Sequence, residues 1–305
     1  MARVAVLYGG WSAERPVSQM SGKAVETALR SRGHDAYLVD VTRDLPALIR
    51  ALDPRPDVVF NALHGQGGED GTIQGVLDML GLPYTHSGVL ASAIAMSKPV
   101  TKRLLEGLGV RTPRGIVVPR DEVATRHVLP PPYVVKPAAE GSSFGVRIVR
   151  ENDNVPPIEA GDWTFGEEVL VEEYIGGRDL TVGVMGDRAL TVTEIRHDHG
   201  FFDYDAKYIS GHARHILPAA VPQEVFDEAM RIALLAHRTV GCRGVSRSDF
   251  VYDDRQPGTE GLYFLEINNQ PGFTPMSLVP EQAEHMGIGF AELCEWLVEN
   301  ASCSA

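Results

Sequence analysis

The spacing of apolar residues changes period several times along this chain, and each change marks an element. "RVAVLYGG", starting at Arg3, is a short apolar run closed by glycines and reads as a strand. In "PVSQMSGKAVETALRSRG" the side chains of Val17, Met20, Ala24 and Ala28 recur at helical spacing, with Pro16 at the start and Gly33 just past the end. "AYLVDV" and "DVVFNALHG" read as two further strands, and "GTIQGVLDMLG" as another helix. Strands alternating with helices predict a parallel sheet covered on its faces, with ligands gathering at the carboxyl ends of the strands. The glycine turns at Gly9 and Gly10, and from Gly65 to Gly71, fall at those ends.

The pattern changes near residue 97. "SKPVTKRLLEGLG" is a helix with Ser97 as its cap and Gly109 as its stop. Short apolar runs then follow at hairpin-like intervals, in "TPRGIVVP", "YVVKPAAEGSSFGVRIV" and "EEVLVEEYIGGRDLTVGVMG", which predicts a separate small domain over about 97–180. The remainder, 181–305, is mixed: the aromatic and polar stretch "HGFFDYDAKYISG", a helix near 223–240, two more strands and a helical ending after Pro280. The fold class expected is α/β, with α+β character beyond the first domain, which spans 1–96. A length of 305 residues fits two or three domains.

Two of the late strands carry chemistry. In "YFLEINNQPGF" a period of two puts Glu266 and Asn268 on one face and Leu265 and Ile267 on the other. In "GVSRSDFVYDD" the same period pairs Arg247 with Asp249. A hairpin turning at Pro257 and Gly258 would set Asp249 opposite Glu266 and Arg247 opposite Asn268, a polar patch on one sheet face. Three oxygen donors beside an arginine suit Mg2+, which takes a few protein oxygens and completes its octahedron with water and phosphate. The plainer alternative, a structural salt bridge between Arg247 and an acid, leaves Asn268 and the following Gly272 without a reason. Gly272 lets backbone approach a ligand, and an amide there can stabilise an oxyanion.

Composition narrows the partners. The formal charge of -13 argues against a sequence-independent grip on nucleic acid, so an anionic ligand must be held by local positive charge. Only five of the 28 basic residues are lysines, Lys23, Lys98, Lys102, Lys136 and Lys207, which ranks them as candidates for sites that need a compact ammonium. Lys136 ends a strand before the pliable "EGSSFG", whose backbone amides can fold over phosphates. "HGQGGEDG" starts like a dinucleotide fingerprint, but Asp70 stands at the third glycine position, which removes most support for a dehydrogenase. Cys242, Cys294 and Cys303 are odd in number and widely spaced, neither a disulfide framework nor a zinc site. His197 with His199, and His212 with His215, lack the companions of a transition-metal site, and His237 reads as a helix-face residue. "VAVLY" is too short for a signal peptide's apolar region and no run spans a bilayer, so the expected location is cytoplasmic, away from membranes.

Six motifs in order, "GGWSAERPVS", "ALHGQGGEDGTIQG", "VVKPAAEGSSFGV", "FFDYDAKY", "SRSDF" and "EINNQPGFTPMSLVP", resemble the D-alanine–D-alanine ligase family of the ATP-grasp superfamily over essentially the whole chain. The resemblance implies a three-domain architecture: a Rossmann-like domain over 1–96, a central subdomain over 97–180, and a C-terminal subdomain over 181–305 carrying the metal site and a lid. It implies an ATP-dependent ligase of the peptidoglycan pathway, usually a homodimer, acting through an acyl phosphate.

By the same resemblance, Lys98 and Lys136 contact the nucleotide phosphates, Glu172 and the backbone near Glu173 and Ile175 recognise adenine, and Asp179 takes the ribose. Asp249, Glu266 and Asn268 hold two Mg2+ ions, for which Mn2+ can substitute. Glu14 meets the ammonium of the first D-alanine, with His64 nearby. Ser142 and Tyr208 link with Glu14 to close the lid, and Lys207 approaches the transferred phosphate. Arg247 and the Gly272 amide face the tetrahedral intermediate, while Ser277 and the Leu278 amide take the second substrate's carboxylate. The chain departs from the usual pattern at Asp179, where Glu is common, at Asn269 and Gln270 after the metal-site Asn, at Phe273, and at Glu173. A depsipeptide-forming ligase and a non-catalytic nucleotide-binding protein are the rival readings. Tyr208 favours dipeptide formation, and Arg247, Glu266 and Asn268 together exceed what binding alone needs.

Overall fold

The computed structural model describes residues 1–139, 145–153, 158, 163–197 and 213–303. Strands β1 (Arg3–Gly9), β2 (Asp35–Val41) and β3 (Val58–Asn61) form a parallel sheet in the order β2-β1-β3. Val4, Ala5, Val6 and Leu7 are all fully buried, so this short run is covered on both faces, as parallel strands require. Helices α1 (Arg15–Ser31), α2 (Leu45–Ala51) and α3 (Thr72–Met79) supply the cover. Ala5 and Leu7 pack with Leu48, Ile73 and Leu77 on one side, while Val4 and Val6 pack with Val25 and Leu29 on the other.

Helix α1 buries Val17 and Ala28 as its apolar spacing suggests, but not Met20. Met20 is 51% exposed, while Ser18, Ser21 and Gly22 face inwards with Val17, Val25, Ala28 and Leu29. Close approach is the reason: a Cβ at Gly22 would lie 2.5 Å from Tyr8 Cβ. Ser18 Oγ accepts from Gly9 N and donates to the Ala62 carbonyl, at 2.9 and 2.7 Å. Small and hydroxylated side chains thus tie α1 to the ends of β1 and β3.

Helices α4 (Val89–Met96) and α5 (Lys98–Glu106) lead to an antiparallel sheet of order β4-β7-β5-β6, built from Gly115–Pro119, Glu168–Glu173, Tyr133–Pro137 and Arg147–Val149, with the single-turn α6 (Arg120–Val123) against it. Its core holds Val123, Tyr133, Val135, Val149, Trp163, Val169 and Val171. A second antiparallel sheet has the order β10-β9-β8-β11-β12, from Ala213–Ile216, Arg188–His197, Arg178–Met185, Val245–Tyr252 and Leu262–Asn268. Residues 178–180, which hairpin spacing grouped with the preceding strands, therefore begin a strand of this second sheet. Helix α7 (Gln223–Val240) covers one of its faces, burying Val225, Ala229, Ile232 and Ala236 against Leu180, Val182, Phe250 and Phe264. Leu105 of α5 joins the same core.

Helices α8 (Leu278–His285) and α9 (Phe290–Glu299) close the chain by returning to the first sheet. Leu293, Cys294, Leu297 and Val298 pack with Val4, Val6 and Phe60, joined by Phe273, Val279 and Ala283. One apolar core thus runs from the parallel sheet to the segment after β12.

The hairpin of β11 and β12 pairs in the expected register, Arg247 with Asn268 and Asp249 with Glu266. Strict alternation fails one step further on. Phe250 pairs with Phe264, so a bulge takes up Leu265, which is partly buried and does not join Ile267 in the core. Leu262, Phe264 and Ile267 face α7, and the bulge shifts the phase that turns Glu266 to the opposite face.

Candidate nucleotide and metal site

The face of β11 and β12 turned away from α7 carries a dense ionic cluster. Arg247 Nε and Nη2 donate to Asp249 Oδ1 and Oδ2, each at 2.8 Å. Thr181 on β8 donates to Asp249 Oδ1 at 2.6 Å. Lys98 Nζ lies 3.2 Å from Glu266 Oε2, and the Asn268 side-chain oxygen accepts from Gln270 N at 2.9 Å. The plainer alternative, a salt bridge on Arg247, is therefore present, but it coexists with a second acid and an amide on the same face.

Residues of α5 and β5 form the neighbouring cluster. Lys98 and Lys102 sit one helical turn apart on α5, and Lys98 N donates to the Ala138 carbonyl at 3.0 Å, which fastens the start of α5 to the end of β5. Lys102 Nζ and Lys136 Nζ clasp the two oxygens of Glu172, the latter at 2.5 Å, and Lys102 donates a very short hydrogen bond. Burial opposes the Glu172 charge, but Lys136 and Lys102 outweigh it and hold this carboxyl below its ordinary range. Burial, with Lys136 adding repulsion, brings Lys102 from 10.5 down to about 7, against the pull of Glu172. Lys98, Lys102 and Lys136 are 9%, 5% and 8% exposed, so an acidic protein concentrates three of its five lysines in one buried place. The scarcity of lysine ranked Lys102 with the other four but gave it no role; its spacing of four from Lys98 was the further signal.

The glycine turn after β3 meets the same region. Gly65, Gly67 and Gly71 have positive φ, and Asp70 accepts from Gly67 N and Thr72 N at 2.8 and 2.9 Å, so Asp70 builds the turn and the α3 entry. Glu69 accepts from Gly65 N. Burial first, then the charge of Glu14, raises Glu69 from 4.5 to about 8, while Gly65 N–H, Arg247 and Lys98 pull the other way. Glu14 is buried, and a Cβ on Gly65 would come 2.8 Å from its Oε2. His64 is buried too, with Nε2 3.1 Å from Ser21 Oγ. Burial lowers its pKa to about 4, so the ring is neutral.

At the far end, Ser277 caps α8 just before Leu278, its Oγ accepting from Thr274 N at 3.0 Å, and a Cβ on Gly272 would come 3.4 Å from that oxygen. Asp179 is partly buried on β8, two residues before Thr181 and hence on its face. Glu173 turns its carboxylate to Arg114 N at 3.0 Å, and Ile175 lies partly buried in the link from β7 to β8. Ser142, Lys207 and Tyr208 lie outside the described residues, as do His199 and His212. His215 instead meets Glu281 at 2.7 Å, and His237 is buried against Ser246 at 2.7 Å. The three cysteines are free.

Among the described residues no three His, Cys, Asp or Glu side chains form a metal-ligand set by themselves, and no helix is long and apolar enough to cross a membrane. The donors on the hairpin are two carboxylates and an amide oxygen. Hard oxygens in that number, with positive neighbours ready to share the acids, fit a divalent cation that keeps water and phosphate as its other ligands.

Comparison with known proteins shows the family. A family model described as D-ala D-ala ligase C-terminus matches residues 119–299, and one described as D-ala D-ala ligase N-terminus matches residues 46–87. The D-alanine–D-alanine ligase of Chelativorans sp. (strain BNC1) is 54% identical over 303 residues, 98% of each chain, and that of Acidiphilium cryptum (strain JF-5) is 55% identical over 303 residues, 99% of each. Two crystal structures of the Bacillus anthracis D-alanine–D-alanine ligase share the fold, one complexed with ATP (TM-score 0.80, 28% identity) and one without that description (TM-score 0.81, 30%). Each alignment covers 98% of this chain and 97% of the other. With half its residues shared with such relatives from end to end, a matching ATP-grasp fold and the ionic clusters described above, this chain belongs to the D-alanine–D-alanine ligase family.

Proposed function

We propose that this protein is an ATP-dependent ligase that joins two D-alanine molecules through an acyl phosphate, releasing ADP and phosphate for peptidoglycan precursor synthesis. The observation that carries the reading is the facing quartet of Arg247, Asp249, Glu266 and Asn268, beside the lysines of α5 and β5, in a chain of this family. Nucleotide would lie between the four-stranded and five-stranded sheets, with 1–96, 97–180 and 181–305 acting as the three functional units.

Glu172 is the acceptor for the adenine amine, helped by backbone near Glu173 and Ile175, and Asp179 reaches the ribose. Lys98 and Lys136 leave their carboxylate partners to meet phosphate, an exchange that needs no new charge in the site. Asp249, Glu266 and Asn268 would hold Mg2+, or Mn2+ in its place, as two ions. When bound, these cations neutralise phosphate charge and align the transferred group. Glu14 takes the first amino acid's ammonium, with His64 supporting the turn beside it. Ser142 and Tyr208 close the lid over it and Lys207 reaches the moving phosphoryl group, which keeps water from the acyl phosphate. Arg247 and the Gly272 amide stabilise the oxyanion formed when the second amine attacks. Ser277 and the Leu278 amide, at the start of α8, bind the second carboxylate where helix N–H groups converge. A cytoplasmic homodimer that takes D-alanine and ATP, and no nucleic acid or membrane, completes the reading.

The test incubates purified protein with ATP, Mg2+ and D-alanine, and in parallel with L-alanine or D-lactate, following phosphate release and product mass. D-alanyl-D-alanine with phosphate release specific to D-alanine is expected. Equal phosphate release in all three mixtures overturns the assignment.

A further inference from the structure

Gln270 stands directly after the Asn268-Asn269 pair and is 1% exposed. Three of its four polar groups have hydrogen-bond partners. Its backbone N–H donates to Asn268 Oδ1 at 2.9 Å. Its side-chain oxygen accepts from Asn61 Nδ2 at 2.8 Å, and its side-chain nitrogen donates to the Leu63 carbonyl. Asn61 Nδ2 also donates to the Gly68 carbonyl at 2.9 Å, and Gln74 donates to that carbonyl at 2.8 Å, so the contact continues into the glycine turn.

We propose that Gln270 is a positioning residue that holds Asn268 against Asn61 and the turn that begins at Leu63 and His64, registering the metal side of the site against the amino-acid side through one buried side-chain amide. The inference rests on the reading of Asn268 as a cation ligand and of the His64 turn as part of the amino-acid site. Two consequences of its bonding support it. An amide N–H on Asn268 Oδ1 opposes the flip that would present Nδ2, a donor, to a cation, and leaves one lone pair of Oδ1 for coordination. The side-chain nitrogen on the Leu63 carbonyl fixes the residue next to His64, whose Nε2 lies 3.1 Å from Ser21 Oγ, and Ser21 Oγ accepts from Phe273 N at 3.3 Å, next to Gly272. Both side-chain bonds of Gln270 reach β3 and its turn, on a different sheet from β12, so they fix the separation of the two halves.

The test uses Gln270→Met, which keeps the length and removes donor and acceptor, and Gln270→Ser, which admits water should the first variant not fold. Mn2+ affinity of the ADP-bound protein is read by calorimetry, and the KM for D-alanine by initial rates. Each is expected to weaken about tenfold, the low end for losing an outer support of a metal ligand, with metal-free ADP affinity within about twofold of wild type. A folded variant that only melts earlier, loses one of the two affinities alone, or loses ADP binding in parallel overturns the inference. Asn268→Leu separates the two levels. If it leaves Mn2+ affinity unchanged, the ligand reading fails; if it weakens Mn2+ binding while the Gln270 variants do not, only the positioning role fails.

Discussion

Arg247 and Asp249, two residues apart on one strand, are joined by a two-pronged ion pair with both N···O distances at 2.8 Å. Their side-chain exposures are 11% and 21%, so water screens the pair only in part. The pair holds both side chains in place on one strand. In the proposed reaction a cation arriving at Asp249 would compete with the guanidinium, which would then turn to the reacting centre.

Arg247→Ala is accordingly expected to lower kcat by about 10²–10³, the scale for removing one oxyanion-stabilising donor, and to change ATP affinity by less than about threefold. Single-turnover rates set beside equilibrium nucleotide binding check this. A comparable loss in both would assign Arg247 to nucleotide binding.

Lys102 sets how available Lys136 is. With both lysines on Glu172, the buried carboxylate keeps a counter-ion when Lys136 moves to phosphate; without Lys102 it would be stranded, at a high cost for a buried charge. Lys102→Met should therefore raise the KM for ATP by about tenfold, a cost of about 1.4 kcal/mol, and leave the KM for D-alanine unaltered. Initial-rate measurements over both substrates decide it, and an unchanged KM for ATP counts against the role.

Glu69 makes stability depend on pH. Burial and the charge of Glu14 raise its folded pKa from 4.5 to about 8, so the folded state prefers the protonated acid. A group raised in this way contributes stability that is complete below pH 4.5 and is lost as pH rises to about 8. Glu69→Gln, which resembles the protonated form, should gain a few degrees in Tm on the wild type between about pH 5 and pH 8.5. Melting curves at pH 5.5, 7 and 8.5 provide the measurement; a difference that stays constant with pH would show that Glu69 does not titrate in this range.

The legible part of the site is local. Arg247, Asp249, Glu266 and Asn268 could be set on one face because strand period and a single turn decide their pairing, and the observed register agrees. Lys98 and Lys136 stood out through the scarcity of lysine and their places at element ends. The bulge at Leu265 was hidden, since an extra residue in one strand leaves no mark in an apolar run. The inward face of α1 was only partly legible for a related reason: Ser18, Ser21 and Gly22 are buried by close approach to β1 and β3, which apolar spacing does not encode.

The amino-acid sequence on its own determined the alternating first domain, the register of the hairpin of β11 and β12 and the family's six motifs, because each rests on residues within one or two neighbouring elements. The tertiary structure alone decided that Lys102 and Lys136 share Glu172, that Glu69 sits beside Glu14, and that Gln270 bridges β3 and β12. Those relationships join residues up to 209 positions apart. They depend on separate sheets being brought together by one apolar core, and the charge or hydrogen-bonding state of each group follows from the burial that this packing imposes.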